Sequence, residues 1–164
     1  MANWEGLDKR NIARIPLTDY KDWEDSTELP STEFISPYNL AEMPPLDPDG
    51  QRVKLRRLLS SVFHQKLDGN YEYLETRCDI KRDTFQKVLR ANGGRGMSRT
   101  MLAKFVVGAG LDESTADELF LCQGTGLDRR SRFDYILMCA IHDKDDIVTF
   151  NQDLIKYGCG SILS

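Results

Sequence analysis

Proline is absent after residue 48, although six lie before it: Pro16, Pro30, Pro37, Pro44, Pro45 and Pro48. Proline cannot sit inside a helix or a central strand without removing a hydrogen bond, so the imbalance marks a composition break near residue 50. Histidine is scarce as well. His64 and His142 are far apart, and no HExxH, GxSxG or zinc-ligand spacing occurs in the chain. The four cysteines, Cys78, Cys122, Cys139 and Cys159, form no CxxC pair, and free buried thiols in a reducing cytosol are expected. No apolar run approaches the roughly 18 residues of a membrane span. The opening Met1-Ala-Asn-Trp-Glu-Gly6 lacks a basic stretch leading into an apolar one, so a cytoplasmic protein without a membrane partner is expected. No GxxxxGK[ST] occurs, so the glycines at 93, 94 and 96 do not form a nucleotide-binding P-loop. The run His142-Asp-Lys-Asp-Asp146 does not continue as an EF-hand, because Ile147 and Val148 stand where a ligand and a glycine would be needed. Acids favoured at a helix N-terminus account for it. These absences leave no active site, no metal and no cofactor to expect, and the chain reads as a non-enzyme.

What is present is an uneven distribution of charge. The net charge of −4 conceals three blocks. Residues 1–50 hold eleven acids and four bases, a net of −7; residues 51–104 hold thirteen bases and five acids, +8; residues 105–164 hold five bases and ten acids, −5. Nucleic-acid binding depends on the local footprint of Lys and Arg, not on the chain average. The bland alternative is that the basic and acidic blocks pair with each other. A length of 164 residues fits one compact domain with extensions.

Residues 1–50 show no sustained period of 3.6 or 2.0 and end in the turn-rich Pro44-Pro-Leu-Asp-Pro-Asp-Gly50. They nevertheless contain Trp4, Tyr20, Trp23, Phe34 and Tyr38, more aromatics than a disordered tail usually carries. An extended acidic arm that packs on its own domain or on a protein partner is expected. A chain starting near Pro48 is expected to keep its fold and to bind DNA more tightly at low salt.

From Gln51 the pattern turns helical. Leu55, Leu58, Leu59, Val62 and Phe63 form a stripe, with Arg52, Lys54, Arg56, Arg57 and Lys66 outside it. Asp68-Gly69-Asn70 breaks that helix, and Asn70 can cap the next. A short helix with its exit spans Leu74–Ile80, and a second spans Lys81–Arg90, with Phe85, Val88 and Leu89 inward. Further helices are expected over Ser98–Ala109, over Ser114–Cys122 with Ser114 and Asp117 as a capping pair, over Arg129–Ile141 and over Asp145–Tyr157. The fold class is all-α, with about seven helices.

Two short helices, the second basic on its outside, form the geometry that presents side chains to a DNA major groove. Residues 70–120 resemble the helix-turn-helix domain of the phage lambda repressor and Cro-like family. Leu74 stands at the buried position of the first helix, Ile80 at the aliphatic turn position, and Phe85 and Val88 at the inward positions of the recognition helix. Met97-Ser-Arg-Thr-Met-Leu-Ala-Lys-Phe-Val106 is similar to the fourth helix, and Leu111–Phe120 to the stretch through the fifth; Gln51–Lys66 would be the first. Three positions depart from the pattern. Glu75 replaces a small residue, Asp79 replaces the turn glycine, and Gly93-Gly-Arg-Gly96 makes a longer loop. Aspartate tolerates the left-handed conformation less well than glycine but better than most residues.

The resemblance implies a sequence-specific protein on double-stranded DNA, a transcriptional regulator. It places Arg82, Asp83 and Lys87 at base edges and Lys81, Gln86, Arg90, Arg95 and Arg99 near the sugar-phosphate backbone. It divides the chain into an arm (1–50), a DNA-binding domain (51–122) and a C-terminal helical extension (123–164). Phe133, Ile136, Leu137, Ile147, Phe150, Leu154 and Ile155 are more apolar surface than a five-helix domain normally needs, so a homodimer through the last two helices is expected. The rival reading is a protein-interaction module, antitoxin-like or a phage-encoded inhibitor, that occupies another protein through the helical domain or the acidic arm.

Overall fold

Most helices of this chain begin where a short polar side chain accepts a hydrogen bond from the first turn. In the computed structural model, which describes residues 2–17, 48–90 and 97–163, this holds for Asn70, Ser98, Asp112, Ser131 and Asp146. The helices are α1 (Pro48–Lys66), α2 (Tyr71–Cys78), α3 (Arg82–Leu89), α4 (Arg99–Gly108), α5 (Glu113–Gln123), α6 (Arg132–Asp143) and α7 (Ile147–Lys156). A 3-10 helix, Lys9–Arg14, precedes them, and no strand occurs among the described residues. The all-α reading holds. The expected features at Tyr20, Trp23, Phe34, Tyr38 and the 93–96 glycine loop lie outside the described residues.

Packing follows the apolar stripes. α1 lies against α5, α2 against α4, and α3 against α1 and α2; α4 then joins α5, α6 and α7. A single buried cluster runs through all of them, from Leu55 and Leu59 of α1 to Phe150 and Leu154 of α7. No helix is long and apolar enough to cross a membrane. The cysteines are free, as expected, with Cys78, Cys122 and Cys139 buried and Cys159 half-buried.

Three local expectations are corrected. Asp112, not Ser114, caps α5, accepting from the Thr115 N–H at 3.3 Å. Asp117 points inward and accepts from Trp4 Nε1 at 2.8 Å. Ile155, counted with the inward side of α7, is 54% exposed.

Residues 2–17 also pack on this core. Ile12 has no exposed surface. Around it, Lys9 Nζ reaches Asp145 Oδ2 at 2.8 Å and Asp153 Oδ2 at 3.0 Å. Burial disfavours the Lys9 ammonium, but the two carboxylates outweigh it and hold the group above the usual lysine range. Tyr135 Oη donates to the Asp8 carbonyl at 3.2 Å and accepts from its N–H at 3.0 Å. Arg132 donates to the Ile15 carbonyl at 2.8 Å, and Arg129 to that of Glu5 at 2.6 Å. The segment is a strap laid on α6 and α7, because the carbonyls of Asn3 and Glu5 accept from Arg129, those of Ala13 and Ile15 from Arg132, and Lys9 pairs with Asp153 of α7.

The apolar residues counted toward a dimer face are mostly taken up by this arrangement. Ile136, Leu137, Ile147, Phe150 and Leu154 are buried within the chain's own core, and Phe133 is half-buried. Ile12→Ala is expected to cost about 2–5 kcal/mol, as truncation of a fully buried aliphatic does. A chain starting at Pro48 is expected to unfold at lower urea than the full chain, against the expectation from composition. Equal midpoints would remove the strap from the core.

Candidate nucleic-acid interface

The turn between α2 and α3 is made by a residue in a conformation that few side chains adopt. Asp79 has φ 55° and ψ 40°, the left-handed region. Its N–H bonds to the Glu75 carbonyl at 3.1 Å, and the Ile80 N–H to that of Leu74 at 3.3 Å, which satisfies the orphan carbonyls of α2. The Asp79 carboxylate accepts from Lys104 Nζ at 2.9 Å and so ties the turn to α4. Aspartate thus fills the expected glycine position, with a side-chain bond that glycine could not make. Ile80, buried behind the turn, anchors it from inside.

α2 crosses α4 at close range. A β-carbon on Gly108 would stand 2.7 Å from Cys78 Cα and closer still to the Arg77 carbonyl oxygen. Only glycine leaves room there. Cys78 sits in this contact, and burial pushes its thiol up to about 12 against the opposing charges of Arg77 and Lys104. α3 is held from beneath by rings. Phe85 stacks at 5.5 Å on Phe105 of α4 and lies 5.2 Å from Phe63 of α1, which in turn lies 4.9 Å from Tyr71 of α2.

With its inner side fixed, α3 turns its charges outward. Lys81, Arg82, Asp83, Lys87 and Arg90 are exposed, and Gln86 is half-buried. The Arg82 guanidinium lies over the Tyr71 ring, 4.7 Å from its centre, and Arg77 over Tyr73 at 4.1 Å. Two clefts flank the turn. The larger, of about 470 Å³, is lined by Glu75, Asp79, Ile80, Lys81, Arg82 and Asp83. The smaller, of about 220 Å³, brings Lys81 and Thr84 beside Ser98, Thr100 and Lys104 at the start of α4. On α1, Arg52, Lys54, Arg57 and Lys66 are exposed and Arg56 is half-buried.

Arg95 lies outside the described residues, and Arg99 does not belong to this face. Its side chain is 13% exposed. It donates to the Thr125 carbonyl at 2.6 Å, to that of Gly126 at 3.1 Å and to Asp134 Oδ2 at 2.7 Å, with Phe120 beneath it at 4.9 Å. Burial disfavours both charges, pushing the Asp134 carboxyl up to about 7 against the hydrogen bond it accepts from the Asp128 N–H, and the Arg99 guanidinium down to about 10 against the charge of Asp128. Arg99 is therefore a buried clasp between α4 and the C-terminal extension. Gln123 adds to it, donating at 2.7 Å to the carbonyl of Met97.

Sequence reasoning missed Tyr71 and Lys104. Nothing in their local spacing separates them from neighbours, because what they touch comes from other helices. Among the described residues no cluster of His, Cys, Asp and Glu could hold a metal ion. Comparison with protein-family models, with curated proteins and with solved structures found nothing that matches this chain.

Three outcomes follow for stability. Arg99→Ala is expected to cost about 2–4 kcal/mol by leaving Asp134 buried without its cation, whereas Lys87→Ala on the open face should change stability by less than about 0.5 kcal/mol. Gly108→Ala should cost about 1–3 kcal/mol through the forced separation of α2 and α4. Urea denaturation measures all three, and an Arg99→Ala protein as stable as wild type would return that arginine to the surface.

Proposed function

We propose that this chain binds double-stranded DNA in a sequence-specific manner and acts as a transcriptional regulator of the lambda repressor/Cro-like kind. The observation that carries the reading is the outer face of α3, where Lys81, Arg82, Asp83, Lys87 and Arg90 stand exposed on a helix whose other side is rooted by Phe85. A helix of this width enters the major groove, and its first turns meet base edges. Arg82, Asp83 and Lys87 read bases in this account; Lys81, Gln86 and Arg90 meet phosphates. The +8 of residues 51–104 supplies the attraction, and the acids at either end keep the rest of the chain off the duplex. The chain functions as a non-enzyme.

Recognition across two half-sites calls for a second copy. Val148 and Ile155, 52% and 54% exposed and seven residues apart on one side of α7, offer the apolar contact for it. The same two residues, with the exposed Leu17 near Gly158, are what favours the second reading, a module that docks on another protein.

Selection from a random duplex pool should enrich a defined sequence, and log affinity should fall with log salt at a slope of about −3 to −5, reflecting the four bases of α3 and its two flanking residues, Lys81, Arg82, Lys87 and Arg90. Lys87→Ala should lose about 1–3 kcal/mol on the selected site. Arg90→Ala should weaken all duplexes alike and flatten the slope by about 1. A protein that enriches no sequence and binds independently of salt overturns the DNA reading in favour of the protein-docking one.

A further inference from the structure

Arg82 stands where α3 begins, at the mouth of the larger cleft, and it makes no ion pair or hydrogen bond with any described residue. The carboxylates nearest in sequence do not hold it. Asp79 is bonded to Lys104 at 2.9 Å, and neither Glu75 nor Asp83 forms an ion pair with Arg82, although both line the same cleft. What holds the guanidinium is a ring, since its central carbon is 4.7 Å from the centre of Tyr71, within the range of a cation–π contact.

That ring is itself immobilised. Tyr71 is the first residue of α2, and its half-buried side chain lies 4.9 Å from Phe63. Phe63 leans on Phe85, and Phe85 on Phe105, so the row of rings passes from α2 through α1 and α3 to α4. Asn70 pins the backbone beneath it by accepting from the Glu72 N–H at 2.8 Å. Arg82 is therefore the outermost member of a stack rooted in the core.

A guanidinium has a flat face and an edge that carries its N–H fork. The ring occupies the face, and the edge remains open to pair with two acceptors in one plane, the arrangement that a guanine offers in the major groove. A long side chain already held in place loses less rotamer freedom when it binds. We infer that Tyr71 is a positioning residue for base recognition: it holds the guanidinium of Arg82 by its face and aims the N–H edge at a guanine. This rests on the DNA reading above.

The test compares the full-length wild type with Tyr71→Phe, Tyr71→Leu, Arg82→Ala and the double variant Tyr71→Leu/Arg82→Ala, on the duplex that wild type selects and on an unrelated duplex. Tyr71→Phe keeps the ring and should bind within about twofold of wild type. Tyr71→Leu should lose about two- to fivefold on the selected duplex, the size of an exposed cation–π contact, and almost nothing on the unrelated one. In the Arg82→Ala background the same change should have no further effect. A Tyr71→Leu protein with unchanged preference, or one whose loss simply adds to that of Arg82→Ala, overturns the inference while leaving the DNA reading intact. A wild type that selects no sequence overturns both. Because Tyr71 packs on Phe63 and the leucine variant can fail to fold, ¹⁵N relaxation of the Arg82 Nε–H in the free wild type gives a second measure. An order parameter near the rigid-backbone value of about 0.85 supports the inference, and one below about 0.6 overturns it.

Discussion

Phe85 is the one fully buried side chain of α3, and the placement of that helix depends on it. Eight residues are too few to hold a helix alone in water, where even favourable sequences need roughly 12–15. Lys81 supplies no side-chain cap, so the stability of α3 comes from packing. Burial of a phenylalanine contributes about 1.5–3 kcal/mol, and each ring contact adds about 0.5–1.5 kcal/mol. Phe85 has such contacts on both sides, with Phe63 and Phe105. Val88 and Leu89 add half-buried surface beside it. With one side fixed in this way, the charged side chains of α3, Arg82, Asp83 and Lys87, face outward.

The same constraint explains why the extension and the strap are part of the fold. α4 carries Phe105 on one side and, at its start, Arg99, whose guanidinium is held by Asp134 of α6 and by carbonyls of the α5–α6 loop. α6 in turn seats residues 2–17 through Tyr135 and Arg132. The helices around α3, the extension and the strap therefore share one buried core. The polar contacts at these junctions join side chains to partners from other elements, which makes each of them costly to remove singly.

Charge is arranged to suit the proposed role. Among the described residues Lys81, Arg82, Lys87 and Arg90 form no ion pair, whereas the arginines of the α5–α6 loop and α6 are largely committed, Arg130 to Asp128, Arg129 to the strap and Arg132 to the strap and Tyr157. Lys9 is likewise committed, to Asp145 and Asp153. Among the described residues, pairing of basic with acidic side chains is thus concentrated away from the exposed face of α3.

Much of this architecture was legible in residue spacing because its causes are local. The apolar period of α1, the Asn70 cap, the inward Phe85 and the left-handed turn at Asp79 follow from neighbours within a few residues, and so do the outward directions of Lys81, Arg82, Asp83, Lys87 and Arg90. Helix ends shifted by a few residues because capping depends on which polar side chain wins, as Asp112 did over Ser114. Arg99 and Asp117 were misplaced for a different reason. Their partners, Asp134 and Trp4, lie 35 and 113 residues away, and no period links residues so distant. Composition separated residues 1–50 from the rest, yet Ile12 is buried, because a strap with little periodicity of its own can still be tied down by arginines that another helix supplies. By itself the sequence determined the helices, the basic block and the face that α3 presents, since those depend on local sterics and charge. Which cations are consumed in holding the fold and which stay free was decided only by tertiary packing, because burial and pairing depend on what distant segments bring within about 3 Å.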